Sequence, residues 1–141
     1  MLLLDTNVIS ELRKTRGRVD ANVVAWAAPI AAGSLYISAI TVLELELGIL
    51  QLERRDPTQG AVLRSWMSEH VLPAFAGRVL PVDTAVALQC AQLHVPDRRA
   101  ERACLIAATA LVHGMTVVTR NVSDFQGTGV TLLNPWIKPE P

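Results

Sequence analysis

The segment LLLDTNVISEL, residues 2–12, changes character in its middle. Consecutive leucines make the short apolar run that fills a strand buried on both faces. Asp5, Thr6 and Asn7 follow at once, and all three side chains favour the start of a helix, where free backbone N–H groups need acceptors. VISEL then continues as that helix. A buried strand running straight into a capped helix is the opening of a βα unit, and an acid marks the strand's carboxyl end.

The same alternation recurs along the chain. NVVAWAAPIAA (22–32) reads as a second helix that falters at Pro29 and closes at Gly33. LYIS (35–38) has the length and β-propensity of a buried strand. ITVLELELGILQLERR (40–55) alternates in part as a strand does, but its length and its Leu, Glu, Gln and Arg content select a helix. Asp56 before Pro57 starts another helix, which carries Trp66 and ends near Pro73. RVLPVD (78–83) is a strand, and TAVALQCAQLHV (84–95) a helix capped by Asp83 or Thr84 and stopped by Pro96. ERACLIAATALVHG (101–114) has a centre apolar on all sides, as a helix within a domain should, and stops at Gly114. MTVVT (115–119) and VTLLN (130–134) are strands. The pattern predicts an α/β fold: a mostly parallel sheet of four to five short strands with helices on both faces. One domain spans residues 1–141, and the Pro-rich tail NPWIKPEP (134–141) belongs on its surface.

Composition narrows the function classes. Thirteen basic residues balance thirteen acidic ones, so no global field draws a polyanion. RKTRGR (13–18), Arg54 with Arg55, and DRRAER (97–102) are local basic clusters that read first as solvated loops and helix ends. Cys90 and Cys104 form no C-x-x-C pair, which fits a reduced compartment. MLLLD is too short an apolar run for a secretory signal, and no segment is long enough for a membrane span. A cytoplasmic protein is expected. His70, His94 and His113 show no metal-ligand spacing and read as surface or helix-end residues.

In a parallel sheet, functional groups gather beyond the carboxyl ends of the strands. Asp5 follows LLL directly, Glu44 sits early in the helix after LYIS, and Asp124 lies a few residues after TVVT. Singly, Asp5 is explained as a helix cap, Glu44 as a solvated helix residue like Glu46, and Asp124 as a turn residue. Together they would repel one another at one edge, and a hard cation such as Mg²⁺ or Mn²⁺ would neutralise them.

LLLDTNVISEL, ISAITVLELELGIL (37–50) and LIAATALVHGMTVVTRNVSDF (105–125) together resemble the PIN-domain ribonucleases, and within them the VapC-type toxins of bacterial toxin–antitoxin pairs. The resemblance spans nearly the whole chain, with three motifs in order. It implies a three-layer α/β/α sandwich and a Mg²⁺- or Mn²⁺-dependent endoribonuclease held inactive by a small antitoxin. Asp5 matches the family's first acid, with Thr6 and Asn7 beside it. Glu44 matches the second, four residues before Gly48, which shares its helix face and would allow close approach. Asp124 matches the acid of the TRN…DF segment, with Thr119 and Asn121 as supporting polar groups. The remaining family acid stands two residues before LIAATA, and here that position is Ala103. Glu101 is no substitute, because a two-residue step turns ~200° around a helix. Asp97 reads as that helix's cap. Ala103 is either a deliberate Asp→Ala change, of the kind made to produce a toxic nuclease, or a natural loss; the intact remainder of the motif set favours the first.

The expected chemistry is metal-assisted phosphodiester hydrolysis by Asp5, Glu44 and Asp124, weakened or absent because of Ala103. Arg13, Lys14, Arg16 and Arg120 are candidate contacts to RNA phosphates. A catalytically dead PIN-fold protein that binds antitoxin or RNA is the alternative. Phosphatases with an aspartate nucleophile carry a second Asp where Asn7 stands here, which counts against them. Apolar surplus in ITVLELELGIL would be core, a homodimer contact or a groove for an antitoxin helix, with a larger toxin–antitoxin assembly as an extension.

Overall fold

The computed structural model describes residues 1–138, so Pro141 and the two residues before it, part of the tail assigned above to the surface, lie outside the described residues. Five strands form a sheet: β1 (Leu2–Leu4), β2 (Leu35–Ser38), β3 (Val79–Leu80), β4 (Thr116–Val118) and β5 (Leu132–Leu133), in the order β3-β2-β1-β4-β5. Every neighbouring pair is parallel. The chain builds from β1 outward to β2 and β3, then crosses back and adds β4 and β5 on the other side. The strand order therefore reverses at β1, and the crevice beyond the carboxyl ends of β1 and β4 is a topological switch point.

Helices α1 (Thr6–Leu12), α2 (Ala21–Ala27), α3 (Ala39–Arg55), α4 (Pro57–Trp66), α5 (Leu72–Ala74), α6 (Thr84–Leu93) and α7 (Glu101–His113) connect the strands. A π-helical segment, Met67–Val71, joins α4 to α5. Alternation along the strands separates two cores. Leu4, Ile37 and Val118 face one layer with Val8, Ile49 and Met67. Leu3 and Val117 face the other with Ile106, Ala107 and Ala110 of α7 and with Phe125. The alanines let α7 lie close on the sheet, which explains its all-round apolar centre: Cys104 and every residue from Ile106 to Ala110 are buried. Among the described residues no helix is long and apolar enough to cross a membrane.

Several local expectations need correction. The second helix stops at Ala27, because Pro29 cannot continue it; Gly33 instead lies in a 3₁₀ turn (Ala32–Ser34) that leads into β2. Asp97 does not cap α7. Ala100 holds that position with no side-chain hydrogen bond. Glu46 is not simply solvated, since Arg64 donates to both its oxygens and also pairs with Glu53. Arg99 of the basic DRRAER cluster is no free loop charge: it donates to the Leu93 and Gln126 carbonyls.

Close approach also falls at a different glycine. A Cβ on Gly48 would meet nothing within 4 Å, whereas one on Gly60 would stand 2.5 Å from Glu53 Cα, where α4 crosses α3. Gly60→Ala is therefore expected to destabilise the protein by about 1–3 kcal/mol through overpacking. Gly48→Ala should stabilise by about 0.5–1 kcal/mol, since alanine is the better residue within an exposed helix. Urea unfolding of the two variants checks the opposite signs.

Candidate active site

Asp5 ends β1 and begins α1, and its carboxylate serves both. Its backbone N–H donates to the Val118 carbonyl at 2.9 Å, extending the β1–β4 ladder by one residue. Oδ1 accepts from the Thr6 N–H at 2.8 Å and so caps α1. Oδ2 accepts from the Thr119 hydroxyl at 2.7 Å across the switch point. Asn7 Nδ2 lies 3.4 Å from Oδ2 and 3.3 Å from Thr119 Oγ1, while its Oδ1 accepts from the Arg120 N–H. The Asn121 N–H donates to Thr119 Oγ1 at 3.0 Å. Thr6, Asn7, Thr119 and Asn121 thus form one polar frame around Asp5.

Glu44 arrives from the second turn of α3. Its Oε1 accepts from the Thr6 hydroxyl at 2.7 Å, and Thr6 Oγ1 also lies 3.3 Å from Thr41 Oγ1 in the buried floor of the site. Its Oε2 is 3.6 Å from Arg102 Nη1, a contact the sequence did not suggest. Asp124 stands exposed in a 3₁₀ turn, Val122–Phe125, anchored by the buried Phe125. Ala103 of α7 faces the same cleft. Glu101, by contrast, turns away to His94, as the helical offset requires.

Asp5, Thr6, Asn7, Glu44, Ala103, Asn121 and Asp124 line a cleft of about 450 Å³ together with Glu11, Lys14, Arg120 and Trp136. Trp136 was missed by sequence reasoning; its carbonyl accepts from Asn22 Nδ2 at 2.8 Å, and Arg120 stacks over its ring at 5.4 Å. Lys14 pairs with Glu11, whose carboxyl is held below the usual range by the Lys14 hydrogen bond and by the Asp20 N–H. Arg13 lies over Trp66 in an adjoining hollow, and Arg16 is exposed outside the cleft. Burial raises the Asp5 carboxyl above its ordinary value; the Thr119 and Thr6 hydrogen bonds oppose this, and repulsion from Glu44 and Asp124 adds to it. Three acids thus act on one another across the cleft. The donor set, carboxylate oxygens from three βα units lining one cleft, is of the kind that hard divalent cations prefer.

The model of the PIN domain matches residues 2–128. This chain belongs to the PIN-domain family. It is 39% identical to the VapC ribonuclease Y4jK of Sinorhizobium fredii, over 96% of this chain and 98% of that protein. It is 41% identical to the toxin FitB of Neisseria gonorrhoeae, over 96% and 99%. A chain from the structure of FitAB bound to an IR36 DNA fragment superposes with a TM-score of 0.89 at 39% identity, covering 99% of both chains. The α/β/α arrangement expected from the motifs is thus the PIN fold.

Because its folded-state pKa is raised, Asp5 holds a proton more tightly in the folded protein than in the unfolded chain. Its contribution to stability is greatest when protonated and declines as pH rises above the unfolded value of 3.8. Asp5→Asn keeps the cap and removes the charge. Thermal melts should show it more stable than the parent at neutral pH, with the gain fading as pH falls through the acid range; a gain independent of pH would contradict this.

Proposed function

We propose that this chain is the toxin of a toxin–antitoxin pair, with a cleft built for divalent-metal-dependent cleavage of RNA and impaired in this form by Ala103. The observation that carries the reading is the convergence of Asp5, Glu44 and Asp124 on the switch-point crevice beside a fourth position that lacks its carboxylate. The relatives named above, one a ribonuclease and one a toxin, support the same assignment.

Asp5, Glu44 and Asp124 would hold Mg²⁺ or Mn²⁺. When bound, the ion supplies positive charge for the leaving oxygen and lowers the pKa of a water so that it can attack phosphorus. The chain's own residues prepare the rest. Thr119, Asn7 and the capped turn fix the Asp5 oxygens, and Thr6 fixes Glu44. Lys14 and Arg120 line the cleft and would engage phosphates, and Trp136 beside Arg120 offers a face to a base. Arg13 and Arg16 would extend this positive rim outside the cleft. Ala103 removes one negative charge and one oxygen ligand, while Arg102 supplies a competing cation to Glu44. Both changes weaken the hold on a metal.

Partners follow from the surface. Leu43 and Leu50, seven residues apart on one face of α3, and Val62 of α4 are 48%, 51% and 57% exposed. This apolar face suits an antitoxin helix or a second copy of the chain, and the FitAB structure bound to DNA makes a larger assembly the natural extension. The alternative, a catalytically dead PIN protein that acts by binding antitoxin or RNA, draws its support from Ala103.

The test is cleavage of a mixed RNA set with Mg²⁺ or Mn²⁺ by the parent and by Ala103→Asp. EDTA-sensitive cleavage, at least ~10-fold faster in the variant, is the expected result. Two folded proteins that cut no RNA would remove the ribonuclease reading and leave the binding role.

A further inference from the structure

Helices α6 and α7 pack through a seam of Val86, Cys90, Cys104 and Ala108. At one end this seam stops being apolar. Cys90 and His94 are four residues apart and share a face of α6, and Cys104, in the first turn of α7, meets them. One ligand atom from each lies within 4.8 Å of the other two. Both thiols are buried, and Cys104 Sγ makes only a long hydrogen bond, 3.6 Å, to the Cys90 carbonyl. His94 Nδ1 accepts from the Arg99 N–H at 3.0 Å. Its Nε2 is buried with no aligned hydrogen-bond partner, although Glu101 Oε2 stands 3.2 Å away. His94 does stand at a helix end, as the sequence suggested, but it meets two thiols there, one of them from another helix, which spacing along one segment cannot reveal.

We propose that Cys90, His94 and Cys104 form a binding site for a thiophilic divalent cation of the Zn²⁺ class, clamping the first turn of α7 to the end of α6. Two thiolates and an imidazole suit Zn²⁺ and discriminate against Mg²⁺ or Mn²⁺. With Zn–S bonds of ~2.3 Å in a tetrahedron, the two sulfurs stand about 3.8 Å apart, so atoms within 4.8 Å need close by only ~1 Å. The imidazole ligates through one ring nitrogen, and the Glu101 carboxylate, 3.2 Å from Nε2, stands close to the ring as the outer carboxylates of metal-bound histidines commonly do. Water takes the fourth position. Binding releases one proton from each thiol to solvent and changes no oxidation state. Burial, with the neighbouring Cys104 thiol, pushes the Cys90 thiol up to about 12. The clamp also has a structural consequence: α7 starts without a side-chain cap and presents Ala103 to the acidic cleft one residue before Cys104.

The test uses the full chain under reductant, titrated with Co²⁺. A thiolate-to-cobalt charge-transfer band saturating at about one equivalent per chain is expected, erased by Zn²⁺ and absent in Cys104→Ser. His94→Gln, at a partly exposed helix end, should also lose the band while remaining folded. Zn²⁺ should raise the melting temperature of the parent and not of this variant. No band from the folded, reduced parent would overturn the proposal, as would Co²⁺ binding that Mg²⁺ displaces while both thiols stay reactive. None of these readouts involves RNA.

Discussion

A single carboxylate, held between two strands, organises the carboxyl edge of this protein's sheet. Asp5 receives the Thr119 hydroxyl from beyond β4 and the Thr6 N–H from the start of α1. It thereby closes the crevice that the strand order opens. Where the strands end, donors such as the Thr6 N–H and the Thr119 hydroxyl lose the ladder's acceptors, and the buried Asp5 carboxylate accepts from both. The same burial disfavours the charge that the acceptor carries. Hydrogen bonds from Thr119 and Thr6 recover part of that cost, and Glu44 and Asp124 add to it.

Glu44 and Asp124 bring further negative charge to the cleft that Asp5 lines, and a cation at the proposed metal site would relieve that repulsion. Position 103 on α7 looks into the same cleft from the opposite layer, and an alanine there leaves the ring of acids open. Arg102, one residue earlier, reaches Glu44 instead. The site of this chain is therefore partly neutralised by its own guanidinium, and the helix carrying both residues is the one whose start is uncapped by any side chain.

Much of this was readable from residue types. The five strands announced themselves as short apolar runs bounded by Asp, Asn, Pro or Gly, and the long helix α3 was separable from a strand by its length. The acids of the site were readable because each follows a strand closely. Where reading failed, the missing information was three-dimensional. Glu46 finds Arg64 only because α3 and α4 pack; Gly60 matters only because Glu53 lies across that crossing. Trp136 enters the cleft from the far end of the chain through Asn22. His94, Cys90 and Cys104 become a cluster only once α6 and α7 lie together. These last contacts depend on how the helices pack, which no single segment of the sequence carries.

The central claim is that position 103 is a vacant ligand position in a cation site anchored by Asp5. Mn²⁺ titration of the parent and of Ala103→Asp, followed by loss of the free-ion electron paramagnetic resonance signal, tests it without reference to any substrate. The account predicts affinity at least ~10-fold tighter in Ala103→Asp, with the gain abolished by adding Asp5→Asn. Equal Mn²⁺ affinity in parent and Ala103→Asp, with both folded, would contradict it.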